Sequence, residues 1–378
     1  MEKTFVETLT AWRQHLHAHP ELSNQERETA AFVCARLTQL GIPFTPGVGG
    51  HGVVATITRG QSNRSVGLRG DMDALPITEA TGLPYASRAG GVMHACGHDG
   101  HTTSLLGAAA LLSRDPDWTG VVHLVFQPAE EGGGGAKRMI ADGLFARFPM
   151  ERVFAYHNWP GLEAGTVQVH DGVVMAAGGR FEFRVRGRSG HAAIPHEAKD
   201  PMLAAAHLLI ALQSIVSRET SPLDAAVISI CTMEAGSAAN QIPDQAVMRG
   251  TMRSLRIEVR DAMDEAMRRV AAGVAQTFGV GIDVEIRHGN TVTRNPKEEA
   301  ELAATACVAA GLTLRRDLPP AMTGEDFSWF LAEKPGAFVW IGNGPSAGLH
   351  SAGYNYNDAI LPAAASYLAS VAKRALAG

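Results

Sequence analysis

Cysteine is scarce in this chain: four among 378 residues, at Cys34, Cys96, Cys231 and Cys307, with no CxxC pair. So few and so scattered, they argue against a disulfide framework, and three of the four read as small buried apolar residues. Charge is low as well. Asp, Glu, Lys and Arg make up 19%, and 33 basic against 38 acidic residues leave a formal net charge of −5. That mildly acidic balance lacks the electrostatic footprint of a nucleic-acid binder. No apolar run approaches the ~18 residues needed to span a bilayer; the richest stretch, Met202 to Val216, is broken by His207 and Gln213. The first residues, MEKTFVETLTAWRQHLH, carry no basic segment followed by an apolar core, so no secretory signal is read there. Internal repeats are absent, and the one low-complexity piece is the glycine run at 132–135. What is present is 46% apolar residues, ample for a buried core and the wrong composition for disorder. At about 150 residues per domain, the length suggests two domains or one large one. The expectation is a soluble, cytoplasmic protein with no nucleic-acid or membrane partner.

The first part of the chain alternates helical and strand patterns. Phe5, Leu9, Trp12 and Leu16 recur at helical spacing, and a second helix runs to about Leu40, with Gly41 as its stop. Short β-rich runs begin at Gly52, Ser65, Gly120 and Arg152, and a small-residue helix lies between about His101 and Leu112. This alternation predicts an α/β fold with a mostly parallel sheet and flanking helices. Ligands of such sheets bind outside the carboxyl ends of the strands. From about 178 to 291 the pattern changes to β-α-β-β-α-β, the ferredoxin-like order. It begins with FEFRVRG at Phe181 and includes a helix from Pro201 to Val216 and strands from Ala225, Gln245 and Val280. Residues 178–291 are therefore read as an α+β domain inserted into an α/β domain formed by 1–177 and 292–378.

The densest chemistry lies in His94-Ala-Cys96-Gly-His98-Asp99-Gly-His101, a thiol and several imidazoles in one short segment. These are transition-metal ligands. Cys96 and His98 can face one site if the segment is extended, because side chains there repeat with period two. Taken alone, the segment is equally a buried Cys with capping histidines. The pair Glu130-Glu131 and its glycine run follow directly on the strand GVVHLVFQ. One carboxylate of such a pair can bind a metal while its neighbour reaches a metal-bound water, and glycines let the backbone turn tightly. A solvated acidic turn is the plain alternative. The run lacks the GK[ST] ending of a phosphate loop. His157, in AYHNWP, and His350, in GLHSAG, also follow strand patterns. Singly, each reads as a structural histidine. Together with the other clusters they supply more ligands than one tetrahedral metal needs, so a two-metal centre is the economical reading. His15, His17 and His19 lie at a helix end before Pro20 and are read as structural; His196 is read as solvent-facing and His207 as core.

RGDMDALPI, MHACGHDGH, FQPAEEGGGGAKRMI, AYHNWP, GRSGHAAIPHEAKDP, NQIPDQAVMRGTMR, TGEDFSWF and LHSAGYN occur in this order. With WRQHLHAHPEL near the start, they resemble the di-metal aminoacylase and carboxypeptidase family, in its hippurate hydrolase and N-acyl-amino-acid amidohydrolase subgroup, which includes plant auxin-conjugate hydrolases. The resemblance covers essentially the whole chain. It implies a zinc-peptidase-like catalytic domain with the insert as a lid and dimerisation module, in a homodimer or a dimer of dimers. It further implies that Cys96, His98, Glu131, His157 and His350 bind two divalent transition-metal ions, with Cys96 able to bridge them. Glu130 would be the general base, and Asp73 would orient a ligand. His191 would reach the active site of the partner subunit, and Asn240 and Arg253 would bind substrate. The wider family usually has His-x-Asp where this chain has Asp71-Met-Asp73, and Asp where it has Cys96, which leaves Asp71 without a role.

Residue chemistry agrees with this picture. A carboxylate beside a metal can take a proton from the attacking water and return it to the leaving nitrogen. A histidine can help hold the oxyanion, and arginine offers a planar fork for a carboxylate. Without the resemblance, Arg253 would pass as a surface residue and His191 as a loop histidine. The expected activity is metal-dependent cleavage of N-acyl amino acids such as hippurate or N-acetyl amino acids. A dipeptidase or an N-acetyl-diaminopimelate deacetylase is the alternative within the family, and a non-catalytic metal-binding scaffold the alternative outside it. Thiolate and imidazole donors suit zinc, cobalt or nickel, and the resemblance adds manganese.

Overall fold

Residues 3–377 are described by the computed structural model, which carries two separately packed units. The first runs up to Val174, resumes over Arg294–Pro319 and continues from Asp326; the second comprises Met175–Thr293 and Pro320–Glu325.

The first unit is built on an eight-stranded sheet. Its centre is four strands in the order Gly120–Gln127, Ser65–Asp71, Arg152–Pro160 and Gly336–Gly344, each parallel to its neighbour. Apart from the half-buried Val121, their Val, Leu, Ile and Phe residues are buried on both faces, as parallel sheets require. Antiparallel strands Gly52–Arg59 and Phe44–Val48 extend one side. Thr166–Gln168 and Thr313–Arg315 finish the other. The helix His98–Arg114 packs against the strand Ser65–Asp71 and the helices Lys3–Ala18 and Leu361–Ala377. Its Gly107–Ala110 run is buried, and such small side chains let helices approach closely. Arg13, buried in the first helix, donates to Asp358 at 2.5 and 2.7 Å, which ties the start of the chain to its last helix.

His123 is a titratable group inside this sheet. Its ring is 5% exposed and its Nδ1 lies 3.0 Å from Thr56 Oγ1, and burial pushes its pKa down to about 4. The unfolded chain takes up this proton near pH 6.5, the folded chain only near pH 4. Stability from this group is therefore complete above pH 6.5 and is lost as the pH falls toward 4, by about 3 kcal/mol at most. Urea unfolding of His123→Gln is expected to show a flatter acid limb than the parent; parallel limbs would refute the assignment.

The second unit forms a four-stranded antiparallel sheet in the order Ala226–Ala235, Gln245–Ser254, Ala177–Arg186 and Gly281–His288. With the helices Pro201–Ser214 and Ile257–Phe278 this is the β-α-β-β-α-β arrangement. Phe181, Phe183 and Val185 alternate into the core, where they meet Leu208, Leu212, Met248, Met263 and Met267. Pro201 starts its helix because Asp200 caps it, accepting from Met202 N at 2.8 Å and Leu203 N at 3.2 Å. Two residues read as buried are exposed. His207 lies on the outer face of that helix with its ring 4.8 Å from Phe278. Cys231 sits on the edge strand where the register shifts; an edge bulge turns a side chain away from the alternation that would bury it.

Candidate metal centre

In the first unit, the carboxyl ends of the central strands carry the predicted residues. Asp71 and Asp73 follow one strand, Glu130 and Glu131 the next, and His157 lies near the end of a third; His350 belongs to the loop after the fourth. Cys96 and His98 come from the segment that leads into the helix His98–Arg114. That segment is not extended. Gly97 turns it with φ +93°, so Cys96 and the first helical residue reach one side by a left-handed turn. A side chain at Gly97 would also strike Asn158 and Tyr354.

The donors form two triads that share one atom. Within Cys96, His98 and His157, and again within Cys96, Glu131 and His350, ligand atoms lie within 4.8 Å of one another. Cys96 Sγ is 3.3 Å from His157 Nε2, His350 Nε2 is 3.1 Å from Glu131 Oε1, and His98 Nε2 is 3.9 Å from that same oxygen. Glu130 groups with His98 and Glu131. His98 Nε2 is buried with no hydrogen-bond partner, a costly state for a polar atom unless something else occupies it. A thiol, three imidazoles and a carboxylate converging here fit a pair of transition-metal ions.

The electrostatics point the same way. Burial, with Glu131, Glu130 and Asp71 nearby, pushes the Cys96 thiol well above its ordinary range. Burial alone would lower His98, but Asp71 and Asp73 outweigh it and raise the imidazole to about 10. His157 is held well below its usual value by burial and by His101. The field around His98 and Cys96 thus favours positive charge, which a divalent cation supplies more strongly than a proton.

Asp73 joins the parts. Its Oδ1 accepts from His98 Nδ1 at 3.2 Å and Glu130 N at 3.0 Å; its Oδ2 accepts from Glu131 N at 3.0 Å and Ser23 Oγ at 2.6 Å. His98 Nδ1 also lies 2.8 Å from the Asp73 carbonyl oxygen, which can only accept, so the Nδ1 proton is fixed on His98 and Nε2 is left as a donor atom toward the centre. Asp71, which also groups with His98 and His101, is held by the chain through both oxygens. Oδ1 takes His101 Nδ1 at 2.6 Å and Oδ2 takes Arg69 Nη1 at 2.6 Å. His101 Nε2 in turn accepts from Asn158 N at 3.1 Å. His94 stays buried outside both triads.

The loop carrying Glu130 and Glu131 is sharply turned, with φ +54° at Ala129, +127° at Gly132 and +66° at Gly134. Among the described residues, Asn24, Ala129 and His350 are the non-glycine positions with positive φ. All three border the centre: Asn24 adjoins Ser23, Ala129 adjoins Glu130, and His350 is itself a donor. Left-handed backbone costs about 1–3 kcal/mol per such residue and persists where function holds it.

His17, read as structural, has its Nδ1 2.7 Å from the buried Asp99; Asp326 is read from the sequence only as part of Gly324-Glu325-Asp326 opening a short helix near the site, with no chemistry claimed, and Arg69 is given no role there. In sequence His17 was visible only as a histidine at a helix end.

In the second unit, His191 and Asn240 are brought together. Strand Gly190–His191 pairs with Gln241–Ile242, and Ala192 N donates to Asn240 O at 3.0 Å. Both side chains are exposed. Ala193 N donates to His191 Nδ1 at 3.1 Å, which leaves the ring proton of the neutral form on Nε2, facing out. Arg253 lies opposite Gly178 on the sheet and donates to the carbonyls of Met252 and Gly179 at 2.9 and 3.4 Å. Burial and Arg180 lower its pKa from the ordinary value.

Residues 67–374 match the model of peptidase family M20/M25/M40. The chain is 41% identical over 368 residues to hippurate hydrolase of Campylobacter jejuni, covering 96% of this chain and 95% of that protein. It is 38% identical over 374 residues to N-acetyl-L-cysteine deacetylase of Bacillus subtilis, covering 99% and 89%. Among solved structures, the Bacillus subtilis YXEP protein, described as a dinuclear metal binding peptidase of family M20, superposes with a TM-score of 0.88 at 34% identity. That match covers 100% of this chain and 99% of the other.

Proposed function

The chain belongs to peptidase family M20/M25/M40, and on that footing we propose how its residues divide the work of hydrolysing an N-acyl amino acid. It is a metallo-amidohydrolase with a dinuclear centre. The observation that carries the assignment of roles is the pair of donor triads sharing Cys96, with Glu130 beside them at a strand end.

Cys96, His98, Glu131, His157 and His350 would hold the two ions, with Cys96, common to both triads, able to serve either. When bound, the metals supply Lewis-acid polarisation of the scissile carbonyl and an acidified water. Glu130 takes the proton of the attacking water and delivers it to the leaving amide nitrogen, so the C–N bond breaks as a free amine departs. His191 presents Nε2–H to the developing oxyanion. Arg253 and Asn240 bind the carboxylate of the amino-acid half, the guanidinium through its planar fork. Asp73 keeps His98 and both glutamates in register.

The second unit serves as lid and dimerisation module, with His191 of one copy acting on substrate bound by the other. Support for a homodimer comes from its surface. Ile194, Met202, Leu203, Ile210, Leu223, Val227 and Met233 are all exposed there, whereas among the described residues of the first unit Val308 is the large apolar side chain exposed to that degree. An uneven distribution of exposed apolar residues of that kind is what an association surface would need. The helix Pro201–Glu219 has the length and composition to cross a membrane, yet Ala204, Ala205, Leu208 and Leu212 pack into the core of this unit. A cytoplasmic setting is supported by the cysteines, all unpaired, with Cys96 required as a reduced donor.

The test is release of amino acid from hippurate and N-acetyl amino acids by chelator-stripped protein after separate return of zinc, manganese, cobalt or nickel. Release restored by metal is the expected outcome. Turnover of free dipeptides or acylated diaminopimelate alone would move the substrate assignment, and metal uptake without any turnover would leave a scaffold. In the same assay Arg253→Ala should raise KM about 10- to 100-fold for carboxylate-bearing substrates. An equal loss on esters without that carboxylate would refute its role.

A further inference from the structure

Glu130 is half-buried on a turned loop, and a carboxylate that must receive a proton at one angle needs its rotamer fixed. Asp326 N–H donates to Glu130 Oε1 at 3.2 Å. The peptide that makes this contact is itself anchored, because the Asp326 side chain is 1% exposed and saturated with donors. Oδ1 accepts from Arg69 Nη2 at 3.0 Å and from Gln127 Nε2 at 2.8 Å. Oδ2 accepts from Gln127 Nε2 at 2.9 Å and from Ala136 N at 3.0 Å. Arg69 Nε donates to Gln127 Oε1 at 2.8 Å, and Arg69 and Gln127 are both fully enclosed.

An arginine buried between two carboxylates is a poor way to stabilise a fold, since apolar packing of the same volume serves as well or better. Its arrangement here does something packing cannot. One arm of Arg69 reaches Asp71, which orients His101; another reaches Asp326, whose peptide reaches Glu130. Gln127 ends the strand that leads into the Glu130 loop, so the clamp and the base share one rigid support.

We propose that Asp326, locked by Arg69 and Gln127, is the positioning residue for Glu130, its N–H holding Oε1 so that the carboxylate keeps one angle toward the reacting water. This rests on the reading of Glu130 as general base. In this role Asp326 acts through Glu130.

Asp326→Asn keeps the volume but turns one acceptor into a donor facing donors, which shifts the peptide. The expected result is a fall in kcat of about 10- to 100-fold, with KM within about threefold and two metal ions per chain retained. In a Glu130→Gln background the same substitution should cost less than about twofold, because the group it positions no longer functions. An unchanged kcat would overturn the proposal. So would loss of metal or a rise in KM in step with kcat, or an equal cost in both backgrounds, each of which marks a general structural role. If Asp326→Asn does not fold, Gln127→Met, which removes the donor shared by both Asp326 oxygens, is judged by the same criteria. Full activity of Glu130→Gln alone would instead remove the base assignment, a result separable from the behaviour of Asp326.

Discussion

Glu130→Gln is expected to lose about 10²- to 10⁴-fold in kcat while metal content and the circular dichroism spectrum stay those of the parent. Glutamine keeps the volume and keeps an oxygen for Asp326 N–H, so the loop should hold its shape. What disappears is the capacity to take up a proton at neutral pH. Glu130 is not part of either triad that shares Cys96, which is why its loss should leave both ions in place. Metal analysis beside steady-state kinetics decides the matter. Residual turnover within tenfold of the parent would mean that another group accepts the proton.

Cys96→Ala should have the opposite profile. Because the two triads share this sulfur, its removal should strip both ions together. His350→Ala, which touches one triad only, should leave the other ion bound. Plasma emission spectrometry of dialysed protein is expected to give well under one metal per chain for the first variant and about one for the second. If Cys96→Ala retains one ion at parental affinity, the thiolate belongs to a single site. Cys96→Asp, which restores an anionic but harder donor, should recover binding with a shift away from zinc and toward manganese.

The two predictions rest on features that differ in how legible they were. The parallel strands could be read because Val- and Ile-rich runs alternate with helical patterns. The β-α-β-β-α-β segment stood out because its apolar residues change period. Strands as short as Thr166–Gln168 and Thr313–Arg315 were missed, since three residues carry no periodicity and their pairing is decided by distant neighbours. Donor identity was legible from residue type at strand ends. Donor geometry was not: a period-two argument placed Cys96 and His98 on one side by extension, whereas a single left-handed glycine does it by turning. Asp326 was legible only as part of a segment opening a short helix near the site, with no chemistry claimed for it. Its significance lies in contacts with Arg69 and Gln127, 257 and 199 positions away, and no local pattern announces them. His207 illustrates the converse error, an apolar helix whose outer face is also apolar, so burial could not be assigned from composition.

The position of Asp73 has a consequence for how the protein acquires its ions. One carboxylate binds the imidazole of His98 and the peptide nitrogens of both glutamates through hydrogen bonds made by the chain itself. The donor shell is therefore assembled by folding, and its assembly does not wait for the cargo. Unlike a zinc finger, which collapses when stripped, this chain should survive chelation as a folded apoprotein ready for reloading. Its melting temperature should then climb with free metal concentration as mass action dictates, by RT ln(1 + [M]/Kd), until both positions are saturated.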